Sequence, residues 1–359
     1  MSLRRARWIA LPVILGGALV VASTLSARAS EKPVQRPGAD RERGGGGAMP
    51  LKLGQNVHTM ANAPVYVARA KGFYEAEGLL LTFIMLESGA TALQGVIGGD
   101  LDAAVSSSGD MVVAAVKGLP VQAVVGIIKQ TMDLVARRGY VAQKRVDVKA
   151  PLRERLLALR GATLGMTRVG AITDLYLRWL LRQGGLDPDR DVQIVQIGGP
   201  GPIAAGLKAG RIDGVLWSPP FGEQAEADGY GLPYIRSAEI PAFEPFIHEV
   251  IFVRRDRAAG RPEAIRAASR ATALGNNFAL DQPEESIRIL QGYWPKVAPA
   301  VVASAFQALR PRIPRDGMMA PDNWTSVVDV LHAAGLIKEQ ADPREGVLWT
   351  NRYLRGEPR

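Results

Sequence analysis

Two stretches of this chain, "GGDLDAAVSSSG" (98–109) and "AGRIDGVLWSPP" (209–220), share one layout. A helix-ending glycine precedes a hydrophobic–Asp pair, and an apolar strand then stops at serine. Gly99 and Gly210, Asp102 and Asp213, and Ser107 and Ser218 all stand at one constant offset in the numbering, as do Gly54 and Gly165. Apolar positions keep the same register, with Leu53 against Leu164, Ile84 against Val195 and Leu86 against Ile197. A shared offset without net gaps over three strands predicts one α/β unit used twice. Two unrelated βαβαβ units also look alike at this level, and on either view the chain holds two similar α/β lobes.

The alternation of short apolar runs with helical patterns from residue 51 predicts parallel sheets built from βαβ units. The first series runs from "LKLGQ" to "VQAVVGII", and the second starts at "ATLGMT" and proceeds through "VQIVQI" and "DGVLWS". "HEVIFVRRD" (248–256) is a further β-rich run placed to lead back, and residues 262–359 read mostly as helix. The second lobe is therefore expected as an insertion in the first. Lobe 1 comprises 51–130 and 250–359, lobe 2 comprises 131–249, and two crossing segments make a hinge beside a cleft.

Length and composition agree with a chain of this kind. Its 359 residues suffice for two domains with cores, and 47% hydrophobic with 22% charged residues is ordinary globular composition. The net charge is +9, but Arg4, Arg5, Arg7 and Arg28 lie in residues 1–29, which contain no acid. The remaining excess is mild and forms no stripe, so nucleic acid is not expected as a partner. With no cysteine and only His58, His248 and His332, thiolate chemistry is excluded and neither a metal nor a cofactor is expected.

The N-terminus has a basic start, an uncharged run from Trp8 to Ala27 and "ARA" before Ser30. That is the layout of a secretory signal (1–29) cleaved near Ala29, with an uncleaved anchor as the alternative. Paired Arg4–Arg5 leaves the export route open between the general and twin-arginine pathways. Residues 30–50, rich in Gly, Pro and charge, read as a flexible linker.

The stretches "NVHTMANAPVYVARAKGFYEAEGL" (56–79), "GGDLDAAVSSSGD" (98–110), "LRGATLGMTRVGAITDLYLRWLLRQGGLDPDRDVQIVQIG" (159–198) and "LKAGRIDGVLWSPP" (207–220) carry a resemblance. Together they resemble the periplasmic substrate-binding proteins of ABC importers, in the branch for nitrate, sulfonate, taurine and thiamine-pyrimidine precursors. The resemblance implies the type 2 periplasmic binding protein fold: two α/β lobes closing on a small molecule, which is then delivered to a permease in the inner membrane. A periplasmic monomer without catalytic activity is the expectation that follows.

Local physics picks the candidate ligand residues. In open α/β sheets ligands sit beyond the carboxyl ends of strands, where helix starts present free N–H groups that favour anions. The first such loop supplies Asn56, His58, Met60 and Asn62, the second Ser88 and Gly89, and the third Ser107 and Ser108. The opposite lobe supplies Thr167, Arg168, Gly170, Thr173 and Ser218. Ser, Asp, Gly and Pro at helix starts also serve as ordinary caps, so the expectation rests on the set. Arg168 suits a two-pronged grip on an anionic group. His58 stands where the resembled thiamine-precursor branch often has a histidine. The ligand is expected to be a small anionic organic molecule, with Ser107 and Ser108 on one jaw and Ser218 on the other.

Two rivals frame that expectation. The thiamine-pyrimidine synthases share the implied fold, but the Cys-rich motif of that family has no counterpart in a chain without cysteine. A membrane-tethered sensor would follow if residues 8–27 were retained as an anchor.

Overall fold

The computed structural model describes residues 47–355, so the expected signal, its cleavage point and most of the linker lie outside the described residues. Residues from Gly47 onward form one compact unit. Regular structure begins with β1 (Met49–Gln55), two residues before the expected start. It is followed by α1 (Ala63–Ala70), α2 (Phe73–Ala76), β2 (Leu79–Met85), α3 (Gly89–Gly98), β3 (Ala103–Ser107), α4 (Ser108–Val116) and β4 (Val121–Lys129).

The chain then crosses through 130–132 into β5 (Asp133–Arg137), α5 (Arg138–Lys144) and α6 (Leu152–Leu157). The second series follows as β6 (Thr163–Met166), α7 (Ile172–Gln183), β7 (Gln193–Gln196), α8 (Pro200–Lys208), β8 (Gly214–Trp217), α9 (Phe221–Ala227) and β9 (Gly231–Ile235). A return segment, 236–246, leads to β10 (Ile247–Arg254). The helices α10 (Arg255–Gly260), α11 (Pro262–Asp281), α12 (Pro283–Tyr293), α13 (Pro299–Leu309) and α14 (Pro321–Ala333) complete the unit.

These strands form two five-stranded sheets of matching order, β2-β1-β3-β10-β4 and β7-β6-β8-β5-β9. Neither sheet is purely parallel. β10 runs antiparallel to β3 and β4, and β5 antiparallel to β8 and β9. The direction has a simple cause. A strand arriving from the other sheet enters at the edge where β3 or β8 ends, so it must run the opposite way. The sequence pattern sets neither β5 nor β9 apart as a strand, since "DLVAR" is short and charged at both ends and "GLPYI" carries a proline, which suits an edge strand. β10 starts at Ile247 and pairs with the first sheet throughout, so the return to that sheet comes earlier than residue 250.

The duplication extends to atomic contacts. A Cβ on Gly54 would stand 2.6 Å from Leu101 Cδ1, and one on Gly165 would stand 2.8 Å from Ile212 Cδ1. Leu101 and Ile212 are themselves related by the same offset as the two glycines. In both sheets the first strand is therefore glycine at the point where the residue before the repeated aspartate packs across it.

The two sheets share a core along the return segment. Trp179 of α7 stacks on Phe243 with ring centroids 5.1 Å apart, and Tyr176 meets Phe246 edge-on at 5.7 Å. The C-terminal helices hold that segment. Asn323 Nδ2 donates to the Pro245 carbonyl at 2.8 Å, Ser326 Oγ to that of Ala242 at 2.5 Å, and the Arg312 guanidinium bonds to that of Phe243. The crossings also touch each other, Gln130 N donating to Phe246 O at 2.8 Å.

Candidate functional site

The carboxyl ends of β1 and β3 and the start of β10 bring polar side chains into an otherwise apolar interior. Register places Glu249 of β10 opposite Ser107 of β3. Asn56, just beyond β1, points Nδ2 at both Glu249 carboxylate oxygens, each at 3.3 Å. Its Oδ1 accepts the Val57 backbone N–H at 2.7 Å and the Asn62 Nδ2 at 3.3 Å. All three side chains are buried. Burial pushes the Glu249 carboxyl up to about 8, against the Asn56 hydrogen bonds and with the Asp110 charge adding to the rise. Neighbouring His248 lies 3.5 Å away from Glu249, but burial drives its imidazole down to about 4 and leaves it neutral.

A second acid approaches from the first turn of α4. The residue Asp110 retains some solvent exposure, yet its carboxyl is desolvated and rises to about 6, with Arg168 opposing the rise. A Cβ on Gly89 would collide with Asp110 Oδ2 and stand 2.7 Å from Ser106 Oγ, so the start of α3 must be glycine for these groups to converge. Ser106 is 1% exposed and its hydroxyl has no hydrogen-bond partner.

The expected serines differ in role. Ser88 Oγ accepts Thr91 N at 3.2 Å and Ser107 Oγ accepts Gly109 N at 3.2 Å, so each caps a helix. Ser108 Oγ is fully committed to the Ile247 carbonyl at 2.6 Å, stitching α4 to β10. Ser218 makes no comparable cap and precedes the cis Pro219–Pro220 bond.

From the second sheet, Thr167 and Thr173 pair through their hydroxyls at 2.8 Å, and Gly170, at φ +75°, donates its N–H to Asp174 Oδ2 at 2.9 Å. These bonds hitch the β6–α7 loop to α7 and leave Arg168 exposed beside Val169, which is 70% exposed. Tyr176, one turn further along α7, is fully buried. A Cβ on Gly109 would stand 3.0 Å from the Tyr176 hydroxyl and 3.4 Å from Ser107 Oγ. The hydroxyl is raised well above the usual phenol range by burial, with the charges of Asp110 and Glu249 adding to the rise. The Met60 N–H reaches the Pro219 carbonyl at 3.3 Å, a direct hydrogen bond between groups of the two halves.

His58 stands apart from this cluster. Its Nδ1 meets the Tyr66 hydroxyl at 3.2 Å, its Nε2 meets the Tyr293 carbonyl at 3.1 Å, and its ring stacks on Trp294 with centroids 4.5 Å apart. Burial lowers its pKa while the Tyr293 carbonyl opposes the change. With both nitrogens and one face engaged, it joins α1 to the C-terminal helices. Of the expected set, the structure groups Asn56, Asn62, Gly89 and Ser107 around one point and sets Arg168 at the outer end.

Sequence reasoning did not find Ser106, Asp110, Tyr176 or Glu249. Asp110 reads as a helix-start residue and Tyr176 as helix core. The signal for Glu249 is an acid within the apolar run "HEVIFV", where strand alternation leaves it among buried neighbours.

Known proteins supply the context. The NMT1-like family profile matches residues 46–289. A bicarbonate transport ATP-binding protein, CmpC of Synechocystis, is 31% identical over 242 residues, which are 66% of this chain. The match spans only 36% of the length of that relative. The crystal structure of the periplasmic aliphatic sulphonate-binding protein SsuA from Escherichia coli superposes with a TM-score of 0.67 at 16% identity, covering 86% of this chain and 94% of that one. The periplasmic nitrate-binding protein NrtA from Synechocystis gives 0.59 at 20% identity, covering 72% and 69%. The fold is thus that of the periplasmic binding proteins, and the chain belongs to the NMT1-like family.

Proposed function

We propose that this chain is the extracytoplasmic solute-binding component of an ABC importer, clamping a small organic molecule between its lobes and delivering it to a permease in the inner membrane. The lobes are the units built on the two sheets, 51–130 with 250–359 and 131–249 in outline. The observation that carries the reading is the meeting of buried polar groups from both halves at the carboxyl ends of both sheets. Tyr176 lies against Gly109 and Ser107, and Arg168 acts on Asp110. A ligand there is held by both lobes, so binding favours the closed arrangement.

The periplasmic binding of sulphonate and nitrate by the similar structures and the transport named for the bicarbonate relative support the same reading, as does the layout of residues 1–29, which fits export to the periplasm with cleavage near Ala29. The protein acts as a monomer that presents its closed surface to the permease. Binding is the chemistry assigned to the site, in keeping with the binding proteins whose fold it shares.

Small-angle scattering of the exported protein, with and without ligands from a panel of sulfonates, nitrate, amino acids and aminopyrimidines, tests the reading. A reduced radius of gyration with one compound, together with a raised melting temperature, is the expected result. Chemical conversion of the bound compound would replace transport by catalysis, and an unchanged radius with every compound would remove the clamp.

A further inference from the structure

We propose that the ligand is bipolar, with a cationic N–H-bearing group deep in the site against Glu249 and Asp110 and an anionic group at Arg168 near the mouth. This rests on the solute-binding reading and specifies the chemistry of its ligand.

The argument starts from the imbalance of buried groups. Two carboxylates are desolvated at the deep end, and neither has an ion-paired cation in contact among the described residues. Asn56 gives Glu249 neutral N–H donors, and His248 beside it is held neutral. The Arg168 charge opposes the rise at Asp110, while its own side chain remains exposed. A buried carboxylate is expensive unless a proton, a cation or strong donors compensate it. An oxyanion placed there would add a third acidic group to the same low-dielectric space.

The unpartnered atoms point the same way. Ser106 Oγ converges with Asp110 Oδ2 beside Gly89 at the start of α3, while the Tyr176 hydroxyl reaches the first turn of α4, which carries Asp110, from the other lobe at Gly109. Both residues are at most 1% exposed. Neither hydroxyl makes a hydrogen bond of good geometry, Ser107 being the polar group beside that of Tyr176. Asn62 Oδ1, on the side chain that binds Asn56, is a further buried acceptor without a donor. Two carboxyl groups, an amide oxygen and two hydroxyls form a lining rich in acceptors, and a cation bound there takes the place of the proton that Glu249 otherwise holds. A primary ammonium, an amidinium or a protonated aminoazine supplies the several N–H donors such a lining takes. At the other end Arg168, with five N–H donors and no carboxylate in contact among the described residues, suits a carboxylate or sulfonate.

Matched compounds test this by calorimetry. The bipolar probes are 2-aminoethanesulfonate, 3-aminopropanoate and 4-aminopyrimidine-5-carboxylate. Their single-ended partners are ethanesulfonate, propanoate, pyrimidine-5-carboxylate, propylamine and 4-aminopyrimidine. At least one bipolar probe is expected to bind at least 10-fold more tightly than either of its single-ended partners. E249Q and D110N should remove most of that preference, while R168A should weaken the anion-bearing members and spare the amines. Circular dichroism of each variant confirms the fold. Single-ended anions binding as tightly as the bipolar probes would overturn the bipolar ligand and leave the clamp standing. Absence of binding by every compound, including nitrate, would count against both.

Discussion

Asp102 and Asp213 make the same pair of contacts at corresponding places in the two lobes. Asp102 Oδ2 accepts the backbone N–H of Lys52 at 2.8 Å, and Asp213 Oδ2 accepts that of Thr163 at 3.0 Å. The other carboxylate oxygen of each takes an arginine, Arg261 at 2.5 Å and Arg137 at 2.6 Å. Lys52 and Thr163 are separated in sequence by the same offset as the aspartates, so each aspartate ties the loop before one strand to the first strand of its own sheet. The arginines do not share the offset. Arg137 comes from β5 and Arg261 from the start of α11, so the duplication covers the βα unit and not the segments that cross between units.

Replacing these aspartates should destabilise the protein unequally. Asp213 is the less exposed of the two side chains, at 15% against 25%, and its backbone donor is less exposed than Lys52. An acceptor lost from a shielded N–H costs on the order of 1–3 kcal/mol. D213A is expected within that range and D102A below it, as read from urea unfolding midpoints.

Close packing at Gly54 gives a coupled prediction. An added methyl group must displace Leu101, and overpacking of this kind costs about 1–3 kcal/mol. G54A should be destabilising, and L101A in the same chain should make that substitution less harmful than it is alone. A double-mutant cycle showing additive effects would place the strain elsewhere.

The two offset-related serines should separate experimentally. S107A removes the cap on α4 and should cost ~1 kcal/mol of stability. S218A removes no cap and should leave thermal stability close to that of the parent. Equal losses in thermal melts would contradict the different roles seen at the two strand ends.

Glu249 makes stability depend on pH in a defined direction. Its carboxyl titrates near 4.5 when unfolded and at about 8 when folded, so the folded state holds the proton more tightly. The charged form is disfavoured only in the native protein, and stability therefore falls as pH rises from 4.5 to 8. E249Q keeps an oxygen for Asn56 without the charge. Its urea midpoint should match the parent near pH 4.5 and exceed it at pH 8. His248 acts at the other end of the scale: its folded pKa of about 4 lies below 6.5, so its contribution is lost as pH falls through that interval.

The exported form gives a final check. If the layout of residues 1–29 is processed as a signal, Edman sequencing or intact mass of the secreted protein should place the first residue at Ser30. A mature chain that retains Trp8 would identify an anchor instead.

The sequence by itself determined the duplicated unit, its constant offset, the two βα series and the carboxyl-end loops. These features were legible because each lobe repeats the same contacts within itself, such as Gly54 with Leu101 and Asp102 with Lys52, 50 positions away, and such contacts constrain residue type at fixed spacing. It also marked Asn56, Asn62, Gly89 and Ser107 as strand-end or helix-start residues. The return of the chain in β10 was legible too, but only the tertiary structure decided that β5 and β10 run antiparallel to their neighbours, because direction follows from the end of the sheet at which a crossing chain enters. It likewise decided the electrostatics of the site. Asn56 and Glu249 are 193 residues apart, and Tyr176 reaches Gly109 from the other sheet. No spacing rule predicts such pairs: the first depends on β10 returning to the sheet that holds β1, and the second on the docking of two separately built units. The serine run quoted at the start divides accordingly into Ser106 facing Asp110, Ser107 capping α4 and Ser108 bound to the returning strand.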